Sequence, residues 1–360
     1  MIKKLLREGL AFTGLINEID WENTFSDVKQ TCVSPEDVVD YLNRVIANAP
    51  KITKDREKFD AKYPFVHSKS TFFDKDETEV DINSFIQRIT EEPNNIVNSN
   101  DKMLKSGGLH EYVYKTGLPA LRGIVYDIDN KKFHYINTCP GAGACAVICY
   151  AMKGNYIRYP ASYDSMTKRL NLLLNNPSKY EEMMFEDLKK IATEHSAFEG
   201  YKAKVILRWN DSGDFFTKKY VDIANSVMVR LKDDGYNVES YAYTKMGDVA
   251  TNDAEFDTTF SQGANKKETN KVDLTKKKTA LVIPKEFSNG LNLMKMSDEE
   301  VYKERVAKGF HYDPSTVITY EELMQTPKGN EEKWNVIITS EDGDDAAFRK
   351  DVKHVLLKYH

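Results

Sequence analysis

Short apolar runs alternate with longer amphipathic stretches along the chain after residue 108. The runs that predict strands span residues 122–128, 132–136, 203–209, 238–243, 258–261, 279–283, 317–319 and 334–339. Helices are predicted from a capping box at Ser178 and Glu181 to about His195, over 217–231 and over 344–357. This alternation predicts an α/β fold with a mainly parallel sheet, which we expect to form a partial (β/α) barrel.

Residues 1–108 have a different pattern. Ser34 caps a short amphipathic helix, and Phe85 and Ile89 lie on one face of a second helix. The sequence Ser-Gly-Gly at 106–108 is typical of a hinge. We therefore expect a mostly helical, accessory N-terminal extension over 1–108, followed by an α/β domain over 109–360.

Composition narrows the class of protein. The chain has 360 residues, 41% of them hydrophobic and 30% charged, as in ordinary globular proteins. Its net charge of −5 gives no overall signature of nucleic-acid binding. No apolar run is long enough to cross a bilayer, and the N-terminus becomes charged too early for a secretory signal. We expect a cytoplasmic protein without membrane contact.

Three of the four cysteines lie in one glycine-rich segment. Cys139, Cys145 and Cys149 have the spacing C-x5-C-x3-C, and thiolates are the soft ligands that iron–sulfur clusters and zinc select. Three thiolates on a [4Fe–4S] cluster would leave one iron open for a small molecule. A structural zinc would require a fourth ligand, for which Cys32 and His134 are candidates. The remaining interpretation, small buried apolar residues, fits poorly with three cysteines in so short a loop.

Candidate ligand-binding residues follow two predicted strands. Ser212, Gly213 and Asp214 come after strand 203–209, and Lys245 ends the next strand. Because neighbouring parallel strands end side by side, we expect these residues in one pocket. Arg208 interrupts an apolar strand and would pair with an internal acid or reach a ligand anion. The plainer interpretations are helix N-capping for Ser212 and Asp214, a surface arginine and a solvated loop lysine.

A lysine-rich stretch over residues 266–278 contains six lysines. Such a stretch is able to contact phosphates, although a run of like charge is more often a solvated loop.

Three motifs together resemble a phage-encoded family, the gene product 88-like proteins. They are the Cys-Pro-Gly-Ala…Cys…Cys-Tyr-Ala segment from Cys139, Arg208 followed by Ser-Gly-Asp-Phe-Phe at 212–216, and Tyr-Ala-Tyr-Thr-Lys at 241–245. The resemblance extends over about residues 117–360. It implies a phage protein that acts in the host cytoplasm.

The chain is more distantly similar to the radical S-adenosylmethionine enzymes. These have three clustered cysteines after the first barrel strand and a Gly-Gly-Glu-like motif after the second, which holds the amino group of the cofactor. Ser212, Gly213 and Asp214 occupy the corresponding place, and Tyr150 matches the aromatic residue usual near the last cysteine. The spacing differs from the usual C-x3-C-x2-C, and aspartate replaces glutamate, so the resemblance implies cluster binding more directly than radical chemistry.

Two hypotheses follow. In the first, Cys139, Cys145 and Cys149 hold a [4Fe–4S] cluster, and Asp214, Ser212 and nearby residues bind S-adenosylmethionine, for a reaction on a nucleotide or nucleic-acid base suggested by analogy with phage enzymes. In the second, zinc or an inert cluster is a structural staple in a phage protein that binds nucleic acid or a protein partner. A simple redox switch is a third and weaker hypothesis.

Overall fold

The computed structural model describes residues 24–42, 81–143, 145–149, 151, 160–199, 202–283, 314–339 and 342–358. Its strands are β1 Gln30–Val33, β2 Glu111–Lys115, β3 Gly123–Asp127, β4 Lys132–Ile136, β5 Lys204–Trp209, β6 Val238–Thr244, β7 Asp257–Ser261, β8 Thr279–Ile283, β9 Val317–Thr319, β10 Trp334–Ile338 and β11 Val352–Lys358. Its helices are α1 Ile82–Thr90, α2 Asp101–Leu104, α3 Cys145–Ile148, α4 Pro160–Asn175, α5 Pro177–Glu199, α6 Lys218–Asp233, α7 Gly247–Thr251, α8 Lys266–Thr269, α9 Tyr320–Gln325 and α10 Asp345–Phe348. Residues 35–42 are also helical.

Eight strands form one parallel sheet in the order β2-β5-β6-β7-β8-β11-β10-β9. From β2 to β8 the strands follow one another in chain order. The chain then starts again at the far edge with β9 and returns through β10 to β11. The predicted α/β fold with a mainly parallel sheet is confirmed, and among the described strands the sheet is open, with β2 and β9 at its edges.

Helices cover both faces of this sheet. Because alternate residues of a strand point to opposite sides, one strand contributes to an apolar cluster on each face. Leu207 and Trp209 of β5 belong to the largest core cluster, together with apolar residues of α5 and α6. Ile206 and Tyr241 belong to a second cluster with Met103 of α2. The ends of the central strands are therefore held from both sides.

The predicted hairpin at 122–136 is confirmed as β3 and β4, which form a small antiparallel sheet with β1. Helix α4 covers the outer edge of β3 with side-chain amides. Asn171 accepts the N–H of Tyr126 over 2.9 Å and donates to the carbonyl of Ile124 over 3.0 Å. Asn175 donates to the carbonyl of Tyr126 over 3.0 Å. These bonds satisfy an edge that would otherwise be free to pair with another strand.

The described part of region 1–108 packs onto the rest of the chain. Phe25 is buried in the largest core cluster. The carboxylate of Asp27 accepts the hydroxyl of Thr217 over 2.7 Å and the backbone N–H of Lys218 over 2.6 Å, at the start of α6. These contacts leave the proposed boundary at residue 108 as a prediction, and the rest of the accessory region lies outside the described residues.

The predicted hinge at 106–108 is tied to the far end of the chain. The hydroxyl of Ser106 accepts the N–H of Asp344 over 2.6 Å, and the N–H of Gly107 donates to the carboxylate of Asp345 over 2.8 Å. Gly107 has a φ of 91°, which favours glycine. In this structure the segment connects α2 to α10.

The predicted helix over 344–357 is wrong. The structure has the short helix α10, which ends at Phe348, followed by strand β11. β11 lies between β8 and β10 and forms hydrogen bonds with both. A short apolar run of this kind does not distinguish a buried strand from a helix, and pairing on two sides decides for the strand.

Candidate metal centre

The loop that contains Cys139 lies against the carboxyl ends of β5, β6 and β7. The N–H of Asp214, in the loop after β5, donates to the carbonyl of Thr138 over 2.9 Å. The N–H of Gly143 donates to the carbonyl of Gly263, in the loop after β7, over 3.0 Å. These main-chain bonds fix the cysteine loop at the edge where parallel sheets bind their ligands.

Two glycines allow this loop to approach the strand ends closely. A Cβ atom on Gly141 would lie 2.5 Å from the carbonyl oxygen of Lys245, just after β6. A Cβ atom on Gly143 would lie 2.7 Å from the carbonyl oxygen of Ala264. Both contacts are with backbone atoms, so a larger residue would displace the loop. Packing therefore requires the glycines of the cysteine motif.

Two of the three cysteines share one apolar cluster. Cys139 and Cys149 lie there with Ala120, Leu121 and Ala151. The N–H of Leu121 points to the sulfur of Cys139 at a distance of 3.4 Å. An N–H donor and an apolar surrounding are features that tune the thiolate ligands of metal centres.

The electrostatic surroundings of Cys139 suit a cation ligand better than a free nucleophile. Burial raises the pKa of the Cys139 thiol to about 12, the charge of Asp214 adds to this shift, and the charge of Lys245 opposes it. A bound metal cation would reverse this preference, because a coordinated thiol is deprotonated. A free reactive cysteine would instead require a lowered pKa.

Cys145 is placed differently from the other two cysteines. It begins α3, and its backbone N–H donates to the carbonyl of Gly263 over 3.3 Å. Across the described ranges, no three His, Cys, Asp or Glu side chains gather so as to hold a metal ion. The donor type, the apolar surroundings and the N–H···S contact fit a thiolate-bound metal or cluster, and the triad stays a prediction.

Asp214 ties the loop after β5 to the end of β6. Its buried carboxylate accepts the N–H of Phe215 over 2.8 Å, the hydroxyl of Thr244 over 2.7 Å and the N–H of Lys245 over 2.8 Å. Burial raises the pKa of Asp214, and these partners oppose the rise. The sequence reasoning missed Thr244, although its place at the end of a predicted strand was a usable signal.

The other residues expected in this pocket lie at the same edge. The hydroxyl of Ser212 is buried and forms no hydrogen bond with any residue that the structure describes. Gly213 has a φ of 79°, which allows the turn. The ammonium of Lys245 donates to the hydroxyl of Ser261 over 3.1 Å. Asp214 and Lys245 therefore lie together at neighbouring strand ends, as the sequence predicted.

Arg208 lies between Leu207 and Trp209, which face the largest core cluster, and so points to the other face of the sheet. There an internal acid pairs with it. Its guanidinium lies 2.8 Å from the carboxylate of Asp344, which also accepts the hydroxyl of Tyr241 over 2.6 Å and lies 3.2 Å from the ammonium of Lys102. The sequence reasoning missed Asp344, because it assigned this residue to the start of a final helix over 344–357. A role of Arg208 in cofactor binding stays a prediction.

Cys32 and His134, the candidates for a fourth ligand, face each other on the small sheet. They are register partners in β1 and β4. Cys32 is exposed, whereas burial lowers the pKa of His134 and so favours its neutral, metal-binding form. Ligation by either residue stays a prediction.

Comparison with known families decides what the chain is related to. A family described as gene product 88 matches residues 94–351, which include the cysteine segment and β2 to β10. The chain belongs to the gene product 88 family. The match confirms the family resemblance carried by the cysteine, 208–216 and 241–245 motifs, and it begins earlier than the resemblance suggested, within region 1–108.

No curated protein and no solved structure matches this gene product 88 family member. None of its described helices is both long and apolar enough to cross a bilayer.

Proposed function

We propose that this gene product 88 family member is an iron–sulfur protein, with Cys139, Cys145 and Cys149 as ligands of a [4Fe–4S] cluster. The observation that carries the proposal is the attachment of the cysteine loop, by main-chain bonds, to the carboxyl ends of β5 and β7. A loop fixed in this way keeps the thiol of Cys139 near the charges of Asp214 and Lys245.

The chain's own residues suit the environment of such a cluster. Leu121 supplies an N–H donor to the sulfur of Cys139, and the ammonium of Lys245 provides positive charge near it. When bound, a cluster with three thiolate ligands supplies one-electron chemistry and one open coordination position. Asp214 positions Lys245 and the end of β6 through its hydrogen bonds from Thr244 and Lys245.

The finer proposal is an enzyme similar to the radical S-adenosylmethionine enzymes, acting on a nucleotide or nucleic-acid base. The buried hydroxyl of Ser212 supports a polar ligand, because it forms no hydrogen bond with the described residues. Asp214 supports it less, because three donors already occupy its carboxylate. The substrate class rests on the analogy with phage enzymes alone.

A second candidate is a protein stapled by zinc or an inert cluster, which binds nucleic acid or a protein partner. The occupied carboxylate of Asp214 favours it, as does the half-buried His134 as a candidate fourth ligand. In both cases the four free cysteines suit a reducing compartment such as the host cytoplasm.

Metal analysis of the full chain, purified without oxygen, tests the proposal. We expect iron and sulfide near four each per chain and none in Cys145→Ala, with Cys32→Ala unchanged as the matched control. Stoichiometric zinc without iron would refute the cluster, and loss of zinc in Cys32→Ala would support a closed zinc site. Reductive cleavage of S-adenosylmethionine by the iron-loaded protein would support the finer proposal, and its absence would refute that part alone.

A further inference from the structure

A cavity of about 410 Å³ lies at the amino-terminal ends of the sheet strands, whereas the cysteine loop lies at their carboxyl ends. Asp257, the first residue of β7, and Lys278, directly before β8, are among its lining residues. A strand of five residues, such as β7 or β8, is about 17 Å long and separates the two ends. A molecule in this cavity is therefore too far away to react at the cysteine loop.

Two basic residues that line the cavity are bonded to neighbouring groups of the protein. The ammonium of Lys278 donates to the carbonyls of Ala347 and Arg349, each over 2.9 Å, and burial lowers its pKa to about 8. The guanidinium of Arg349 pairs with Asp351 over 2.6 Å. These bonds hold the turn between α10 and β11 against the start of β8, so the cavity is a fixed feature of the fold.

Three further lysines present ammonium groups that are not occupied in this way. Lys277 and Lys350 have no carboxylate within ion-pair distance among the described residues. Lys276 pairs only loosely, at 3.6 Å, with Asp273, and its side chain is 84% exposed. Burial lowers the pKa of Lys277. A half-buried ammonium such as that of Lys277, without a close counter-ion, gains stability when an anion binds beside it.

The cavity also contains acceptors. Asp257 and Glu332 line it, and their charges favour the protonated form of Lys277. A carboxylate in a basic cavity opposes a bare phosphate, but it accepts hydrogen bonds from sugar hydroxyls. The half-buried ring of Phe348 completes the lining and offers an apolar face for a planar base.

We propose that this cavity binds a nucleoside polyphosphate, with the phosphates on Lys277 and Lys350 and the ribose hydroxyls on Asp257 or Glu332. Its volume lies within the range of small-ligand sites. The site is independent of the cysteine centre, and the proposal does not rest on the function proposed above.

Equilibrium dialysis of the full chain with ADP, pyrophosphate and adenosine as probes tests this site. We expect ADP to bind more tightly than pyrophosphate, and adenosine to bind at least tenfold more weakly than ADP, because the charge-assisted bonds to phosphate dominate. Lys277→Gln and Lys350→Gln should each weaken ADP binding about tenfold. Lys266→Gln, in the same lysine-rich stretch but outside the cavity, should leave it unchanged.

Three results would overturn the proposal: no ADP binding at millimolar concentration, equal affinity for ADP and pyrophosphate, or equal effects of Lys266→Gln and Lys350→Gln. Lys350 is exposed, so its variant gives an answer even if Lys277→Gln does not fold. Metal content is measured in each variant, and an unchanged value with weakened ADP binding supports a site separate from the cysteines.

Discussion

Replacement of Asp344 by asparagine tests how the structure accounts for Arg208. Asp344 is 1% exposed and Arg208 12% exposed, and they lie 2.8 Å apart. The variant keeps the shape of the side chain but removes the charge that balances Arg208 and Lys102. Loss of one partner from a buried ion pair leaves an uncompensated charge, which costs about 3–5 kcal/mol of the free energy of unfolding.

An exposed pair with nearly the same geometry provides the matched control. Arg230 and Glu182 lie 2.9 Å apart, but their side chains are 37% and 52% exposed. Glu182→Gln should therefore cost no more than about 1 kcal/mol. The difference between the two variants measures burial together with the contacts of Asp344 to Tyr241 and Lys102, since the length and charge of the two ion pairs are alike.

Urea unfolding of both variants, followed by circular dichroism, gives these free energies.

The pH dependence of stability adds a second test. Burial alone would raise the pKa of Asp344, but Arg208 and Lys102 outweigh it and hold the pKa below the usual 3.8. The stabilisation by Asp344 is then full above pH 3.8 and is lost as the pH falls through the lower, folded-state pKa. If Asp344→Asn cost as little as Glu182→Gln at pH 7, Arg208 would not depend on this acid and its assignment to a ligand would gain weight.

Three further predictions concern the cysteine centre. Asp214→Asn should lose about 1–3 kcal/mol of the free energy of unfolding, because its amide cannot accept from all three present donors, and a loss near zero would contradict the tie. In metal-free protein, iodoacetamide should modify the exposed Cys32 well before the buried Cys149, as mass spectrometry of peptides would show, and equal rates would contradict their burial. Gly141→Ala should lower both metal content and stability, because its Cβ would lie 2.5 Å from the carbonyl oxygen of Lys245, and normal metal loading would show that the loop yields.

The sequence predicted the central sheet well because its strands are bounded by strong turn signals. Strands β5 to β8 lie within a residue of the predicted runs, and the helix predicted over 217–231 is α6, for which Thr217 is the N-cap. The prediction failed at β11. The segment begins with acids and has Lys353 and His354 further along, which is the charge distribution that a helix dipole favours, and so it was assigned to a helix. Only the pairing of β11 with β8 and β10, which no local pattern contains, makes this segment a strand.

The candidate site was predictable in part for the same reason. Asp214 and Lys245 follow neighbouring parallel strands, so sequence order alone placed them together. The sequence could not show that the backbone N–H groups of Phe215 and Lys245 also use the carboxylate of Asp214, because these contacts depend on the turn at Gly213. Nor could it show that Arg208 pairs with Asp344, since this partner comes from the far end of the chain.

The position of the cysteine loop follows from an insertion and not from the reversal of strand order. That reversal falls between β8 and β11, where ligands of open α/β sheets commonly bind. The cysteine loop instead lies over β5 to β7, because the hairpin β3–β4 leaves the main sheet after β2 and returns the chain at Thr138. Asn171 of α4 secures that hairpin through its backbone bonds to β3. The geometry of the cysteine centre therefore depends on the small antiparallel sheet as much as on the large parallel one, and a change that loosens the hairpin should weaken metal binding without touching a thiol.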